Sequence, residues 1–415
     1  MIASTQTPLP PVASPMIVDL FAGPGGLDVA AHWLGVPSIG IEFDESAVAT
    51  RRAARLCSIL SDVRNWSPTD FTTQVNVLAG GPPCQTYTVA GNGHGRRALA
   101  EVIGLIDKLG KGSIDEVLRE VDSHTDPRTG LVLQPLIWAL RALDANRPFE
   151  AILLEQVPAV QPIWDAMANV LQKMNYGTDV GILSTEEYGV PQTRRRAVLI
   201  ARLEVCNGDV KLPSPTHQKY INNAFDAPPA IDNESKLPKW ISMGETLGIE
   251  SPFYVESNYG SGGDPKNRSK RLHNRPAFTV TSKATRNKII IDGEYYQRFG
   301  VAEAGRLQTF PDGYPWRGRD VSQQIGNAIP PRLGAHLLNS LLGMNTVLKE
   351  AFFERHRASW AGPSEADHRL VRNAIACAPA REGSGMTIIG DPGRVSVSHS
   401  DRTDHENSAP SVRPD

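Results

Sequence analysis

Cysteine is scarce: four residues (Cys57, Cys84, Cys206, Cys377), far apart and without a CxxC pair, in a chain of 415. That excludes a zinc ribbon or a disulfide framework and points to a reducing compartment. No run of 18 apolar residues occurs, and the opening MIASTQTPLPPVASP has no apolar stretch of signal-peptide length. Neither export nor membrane insertion is therefore expected. An excess of charge of one sign is also missing. Forty-three basic and 45 acidic residues leave a net charge of -2, which removes a global electrostatic argument for nucleic-acid binding but leaves room for a local patch. At 40% apolar and 21% charged, the composition is that of a folded protein with room for about two or three domains.

What the sequence does have is alternation. Short β-branched runs at 16–20, 38–42, 75–79 and 151–154 alternate with helical patterns at 27–34, from 45, around 135–143 and at 162–174. This rhythm predicts an α/β fold with a mostly parallel, doubly wound sheet, with ligands beyond the C-terminal strand ends near residues 20, 42, 80 and 155. Pro135 is expected in the first turn of its helix. Residues 92–125, polar and glycine-rich with a short amphipathic segment near 101–109, read as a mobile loop plus an insertion. After a strand at 197–201, residues 205–300 are rich in Pro, Gly and Asn and read as a second, smaller, mainly irregular or β domain. Helical patterns return at 302–308 and after Pro330-Pro331, whereas 363–415 lacks Phe, Trp and Tyr and reads as disordered.

Four segments carry chemistry. Asp19-Leu20-Phe21-Ala22-Gly23-Pro24-Gly25-Gly26 is a strand end running through glycines into a helix, where backbone can approach a ligand closely. As a dinucleotide fingerprint it fails, because Asp28 stands at the third glycine position. Another adenosine-bearing cofactor fits better, with Glu42 able to accept two hydrogen bonds from a ribose diol and Asp62-Val63 to read an adenine amino group. Gly80-Gly81-Pro82-Pro83-Cys84-Gln85 holds a cysteine on a stiff turn at the same sheet edge. Its thiol, normally titrating near ~8.5, needs a cationic neighbour or a base to act as a nucleophile. Leu153-Leu154-Glu155-Gln156-Val157 places a carboxylate at that edge, a candidate general acid. In Gln192-Thr193-Arg194-Arg195-Arg196, strand alternation puts Arg194 and Arg196 on one face, so that both guanidinium groups can point into a site.

Together these residues resemble the DNA cytosine-5 methyltransferase family. The likeness rests on DLFAGPGG, GGPPCQ, YGVPQTRRR, GRLQTFPD (305–312) and QIGNAIPP (324–331), in the family's order, over about residues 15–345. It implies a Rossmann-like S-adenosylmethionine-dependent methyltransferase domain at 15–204, with a target-recognition domain at 205–300. C-terminal motifs at 301–345 return to the catalytic domain, between a flexible N-terminus (1–14) and an extension (346–415). The implied cofactor is S-adenosyl-L-methionine, contacted by Phe21, Gly23, Gly25, Gly26, Leu27, Glu42, Phe43, Asp62, Val63, Pro82 and Asn327. The implied chemistry is attack of Cys84 on C6 of a flipped cytosine and donation from Glu155 to N3. Arg196 would hold the base carbonyl, Arg194 would support Glu155 or a phosphate, and Pro83 and Gln85 would shape the base pocket. No metal is implied. The chain departs from the family pattern at Gln156, where Asn is usual, and at Tyr87-Thr88, where Phe-Ser is common.

Residues 264–288 hold eight basic residues (Lys266, Arg268, Lys270, Arg271, Arg275, Lys283, Arg286, Lys288) against one acid, Asp264, a concentration suited to backbone phosphates rather than base edges. The expected partner is duplex DNA, with the chain acting as a monomer in the cytoplasm or nucleoid of a bacterial or phage-infected cell, alongside a cognate restriction endonuclease. Rival readings are a cytosine-5 methyltransferase acting on RNA, a non-catalytic DNA-binding relative and, from the glycine turn alone, a nicotinamide-dependent oxidoreductase.

Overall fold

The computed structural model describes residues 9–83, 94–122, 128–222, 225, 228, 230–257 and 268–376. Its first half runs β1 (Ile17–Leu20), α1 (Gly26–Trp33), β2 (Ser38–Glu42), α2 (Glu45–Ala53), β3 (Ser58–Leu60) and β4 (Val77–Gly80). Then come α3 (His94–Leu109), α4 (Ile114–Asp122), α5 (Arg128–Asp144), β5 (Ala151–Gln156), α6 (Gln161–Lys173), β6 (Tyr176–Ser184) and β7 (Arg195–Leu203). These strands form one seven-stranded sheet in the order β3-β2-β1-β4-β5-β7-β6. The first five are parallel to their neighbours, and β7 runs antiparallel between β5 and β6. Because the chain winds outward from β1 in one direction and from β4 in the other, the carboxyl ends of β1 and β4 flank a topological switch point.

Strand alternation sorts the apolar side chains onto two layers. Val18, Leu20, Leu78, Ile152, Leu154 and Leu199 face α3, α5 and α6. Ile17, Val77, Ala79, Leu153, Val198 and Ile200 face α1 and the later helix α10 (Pro331–Leu341). By the same parity Asp19 and Glu155 lie on the α1 side of the sheet, next to its carboxyl edge.

The second unit contains α7 (Met243–Leu247) and a four-stranded antiparallel sheet, β11-β10-β8-β9. Its strands are β8 (Phe253–Glu256), β9 (Lys270–Leu272), β10 (Lys288–Ile291) and β11 (Glu294–Arg298). Asp292 and Gly293, with φ of 50° and 86°, make the left-handed two-residue turn that a tight hairpin requires. The sheet packs on α8 (Val301–Leu307) and α9 (Val321–Asn327) through Phe253, Val255, Ile289, Leu307 and Ile325.

Several expectations are corrected. The segment read as a loop and insertion is helical from His94, and α3 and α4 bury Val102, Leu105, Ile106 and Val117 in the main core. Pro135 lies inside α5, whose first residue is Arg128. β3 and β6 were not expected. Residues 9–12 are anchored, with Val12 buried and its N–H donating to the Leu342 carbonyl at 3.0 Å. The extension supplies α11 (Glu350–Arg357) and, within the stretch expected to be disordered, α12 (Glu365–Asn373). Val371 and Ala374 of that extension are buried, and Ala376 donates to Asp70. Residues 377–415 lie outside the described residues.

Candidate active site

The carboxyl ends of β1, β2, β4 and β5 open into a cavity of about 570 Å³. Phe21, Gly23, Gly26 and Leu27 line it from the first turn, and Glu42, Phe43, Asp62 and Val63 from the next two strand ends. Gly81 and Pro83 follow β4, Glu155 and Gln156 end β5, and Arg196 comes from β7. Asn327 and Ile329 arrive from the far end of the sequence. The size falls within the range of small-molecule sites. A side chain at Gly23 would meet nothing within 4 Å, whereas one at Gly26 would lie 2.1 Å from the Ile329 carbonyl oxygen. Glycine is thus required at 26 by close approach of the returning segment.

Glu42 is held by backbone. Its Oε2 accepts from Gly23 N at 2.7 Å, and its Oε1 from Phe43 N at 2.8 Å and Asp44 N at 2.7 Å. With about four acceptor positions on a carboxylate, roughly one is left free on Glu42. Burial pushes its pKa up. Asp19, on the cavity floor, is raised well above the ordinary carboxylate range, first by burial and then by the nearby Asp28 charge. Phe21 sits at φ 62°, a left-handed conformation that an aromatic residue holds only under constraint from its surroundings.

On the opposite wall Arg196 Nε lies 2.7 Å from Glu155 Oε1, each side chain 12% exposed. The register explains the pair: Glu155 opposes Val198 and Gln156 opposes Ala197 across β5 and β7, which makes Glu155 and Arg196 diagonal neighbours on one face. Gln156 Nε2 donates to the Pro82 carbonyl at 2.7 Å, and its Oε1 accepts from Val157 N at 2.6 Å. One side chain therefore ties the turn after β4 to the end of β5. Cys84 and Gln85 lie outside the described residues, as does Lys266.

Arg194 does not share the site. It precedes β7, is fully buried, and donates to three backbone carbonyls: Val280 at 3.0 Å, Gly326 at 2.9 Å and Ala328 at 3.1 Å. It makes no hydrogen bond to Glu155, although the Glu155 charge favours its protonated form against the burial that lowers its pKa. Gly25 does not line the cavity either. As the left-handed N-cap of α1, it allows no Cβ, which would fall 2.1 Å from Leu56 Cδ1. Pro82 contributes its carbonyl to Gln156 and is not a cavity wall. Among the basic residues, Arg271 is buried, donates to Thr193, Pro276 and Ala277, and packs 4.2 Å from the Phe278 ring. Arg275 is also buried. Lys270 is exposed beside Glu256 at 3.4 Å, Arg268 is half-buried, and Lys283 and Arg286 are exposed. The last two follow a segment, Thr281-Ser282, packed against Gly326 of the cavity wall.

The C-5 cytosine-specific DNA methylase family model matches residues 16–106 and 126–343, more than half of the chain. The chain belongs to the C-5 cytosine-specific DNA methylase family. It is 24% identical over 359 residues to the type II methyltransferase M1.HphI of Haemophilus parahaemolyticus, covering 79% of this chain and 87% of that one. To M.AplI of Arthrospira platensis it is 27% identical over 347 residues, covering 79% and 85%. The Schizosaccharomyces pombe Dnmt2 methyltransferase shares its fold at a TM-score of 0.52 and 17% identity, over 79% of this chain and 98% of that chain.

In this methylase the parts that sequence reasoning missed are braces. Asp28, noted only as a missing glycine, is buried and receives Arg51 at 2.6 and 3.0 Å, a pair whose rupture would leave a buried charge at a cost of about 3–5 kcal/mol. Burial opposes the Arg51 charge, yet Asp28 carries its pKa upward. Gln192 Nε2 donates to Leu307 O and Gln308 Oε1, while Val280 N donates to its Oε1. Gln308 in turn donates to Ile325 and Ala328. Tyr314 Oη donates to the Pro24 carbonyl at 2.6 Å. The signal was present, since Gln192, Gln308 and Gln324 all fall in the quoted motifs, but glutamines that satisfy buried backbone cannot be told from solvated ones by type alone.

Proposed function

We propose that this methylase transfers a methyl group to C5 of a cytosine flipped out of duplex DNA, through a transient bond between Cys84 and C6. The pairing of Glu155 with Arg196 on the wall of a cavity that also holds Glu42, Asp62 and Asn327 carries this reading. It puts a carboxyl group and a guanidinium where a base and an adenosine-bearing donor could meet. When bound, S-adenosylmethionine supplies the electrophilic methyl group. The fit of the cavity supports that cofactor: one free acceptor on Glu42 suits a ribose hydroxyl, Asp62 suits an adenine amine, and the space at Gly23 is open.

Cytosine C5 is too weak a nucleophile to take a methyl group unaided. Addition of the Cys84 sulfur to C6 forms an S–C bond and moves the ring electrons toward C5 and N3, while a proton held between Glu155 and N3 offsets the charge. Arg196 orients Glu155 and, in this reading, donates to the base carbonyl. After transfer, loss of the C5 proton to a base restores the C5–C6 double bond and expels the thiolate. A flipped base is required because none of these atoms is reachable within a stacked duplex. Because the relatives include type II methyltransferases, the proposed setting is the modification arm of a restriction-modification pair with a cognate endonuclease.

Replacement of the C5 proton by fluorine blocks its departure. Duplex DNA carrying 5-fluorocytosine, incubated with the full chain and S-adenosylmethionine, is expected to give a denaturation-resistant protein–DNA adduct, and Cys84→Ser none. An adduct that survives in Cys84→Ser would refute the assignment. Conversion-based sequencing of the expression host would report the methylated sequence.

A further inference from the structure

Asp62 is already spoken for. It caps the short helix Val63–Asn65 by accepting Arg64 N at Oδ1, 2.8 Å. The Arg64 side chain then folds back on the same carboxylate, with Nε 3.0 Å from Oδ1 and 3.1 Å from Oδ2, and Nη2 2.6 Å from Oδ2. Both residues line the cavity, and the Asp62 side chain keeps 20% exposure against 48% for Arg64. A lone aspartate in a half-open pocket rotates freely and trades its acceptors with water. Gripped by a planar fork and a backbone N–H, it has about one acceptor position left, at a fixed place.

We infer that Arg64 is a positioning residue that sets the purine specificity of this cavity, by locking Asp62 as an acceptor for an exocyclic amine. The inference rests on the cofactor reading above. A fixed acceptor rewards adenine, whose 6-amino group donates, and penalises hypoxanthine, whose 6-carbonyl oxygen would face a carboxylate oxygen with no proton between them. A site built around one hydrogen-bonding group rejects the analogue that lacks it, because the buried partner is left unpaired. The guanidinium fork is matched to the carboxylate, whereas a lysine ammonium at the same place supplies charge without fixing the plane.

The test is calorimetric titration of the full chain with S-adenosylhomocysteine and with S-inosylhomocysteine, for the parent, Arg64→Gln, Arg64→Lys and Asp62→Ala. The parent is expected to prefer the adenosyl ligand at least about tenfold. In Arg64→Gln the adenosyl ligand should weaken by about tenfold and the inosyl ligand by less, so that the ratio contracts, with Arg64→Lys recovering only part of it. The Arg64 side chain is half exposed, so thermal unfolding of Arg64→Gln and Arg64→Lys should match the parent and exclude misfolding, while Asp62→Ala, which loses the helix cap, is read only through the ligand ratio. A ratio unchanged in Arg64→Gln but lost in Asp62→Ala overturns the role of Arg64 alone. A ratio unchanged in both overturns the placement of the purine at Asp62, whereas a parent that binds neither ligand overturns the cofactor reading itself.

Discussion

Gln156 carries two hydrogen bonds that no other described side chain supplies to the Pro82 carbonyl and Val157 N–H. Because Pro82 stands two residues before Cys84, freedom there would, in the proposed mechanism, misplace the attacking sulfur, and an error near 1 Å can cost about 10²-fold in rate. Gln156→Ala is expected to lower kcat by about that factor while cofactor affinity, measured by calorimetry, stays within threefold of the parent, roughly 0.7 kcal/mol. Gln156→Asn, which restores the motif the sequence resemblance implies, should stay within about tenfold of the parent. A loss of several orders of magnitude with Asn would mean that the longer amide has a specialised role. At the scale of single residues, a place on the cavity wall was legible where residue type suggested it, as for Glu155 and Arg196. It was not legible where position decides. Arg194 was assigned to the site by alternation, but β7 begins at Arg195, so the alternating rule does not extend back to Arg194.

At the scale of elements, α10 buries a histidine that has no charge partner. His336 packs 5.5 Å from the Tyr188 ring and 5.4 Å from Phe353. Burial, aided by the charges of Arg332 and His217, pushes its imidazole down to about 3. The sign follows from which state binds the proton. Below about pH 6.5 the unfolded chain protonates this histidine and the folded chain does not, so stability is lost as the pH falls, by up to about 1.4 kcal/mol per pH unit. His336→Leu removes that loss. Denaturant unfolding at paired pH values should show the variant gaining on the parent between about pH 6.5 and 5, and a pH-independent difference would contradict the assignment. Glu186, lifted by burial to about 7, titrates in the opposite sense, which is why parent and variant must be compared at the same pH.

The elements themselves were legible to different degrees for physical reasons. The parallel strands at 17–20, 77–80 and 151–156 announced themselves because burial on both faces demands continuous apolar runs. β3 has three residues, and β6 is half-exposed along most of its length with glycine at 177 and 181, so neither gives such a run. Helix α12 was hidden by a lack of aromatics, although His368, Val371 and Ala374 are enough to dock it. Pro135 misled because a proline was taken to mark a helix start, whereas α5 continues through it and Gln134 Nε2 reaches back toward the Gly130 carbonyl at 3.4 Å.

For the whole molecule, charge is distributed rather than abundant. A net charge of -2 gives no general attraction to DNA, so phosphate contacts must come from exposed cations near the cavity, of which Lys283 and Arg286 are placed beside its wall. Removing both by substitution to alanine should weaken binding to cognate and unrelated duplexes alike and reduce the slope of log K against log salt by about two. Fluorescence anisotropy over a salt series measures this. An unchanged slope would place the phosphate path elsewhere on the surface.

The three carbonyls gripped by Arg194 belong to different parts of this machine. Val280 leads into the smaller sheet, while Gly326 and Ala328 form the lip of the donor chamber. A single rigid rivet joins them, so tilting the smaller sheet drags the chamber's rim along with it. Thermodynamic reciprocity then makes the two ligands partners: whatever factor duplex DNA adds to the grip on S-adenosylhomocysteine, S-adenosylhomocysteine must add to the grip on DNA. Titrating each in the presence of the other is expected to give equal factors greater than one, and factors of one would show that the rivet transmits nothing.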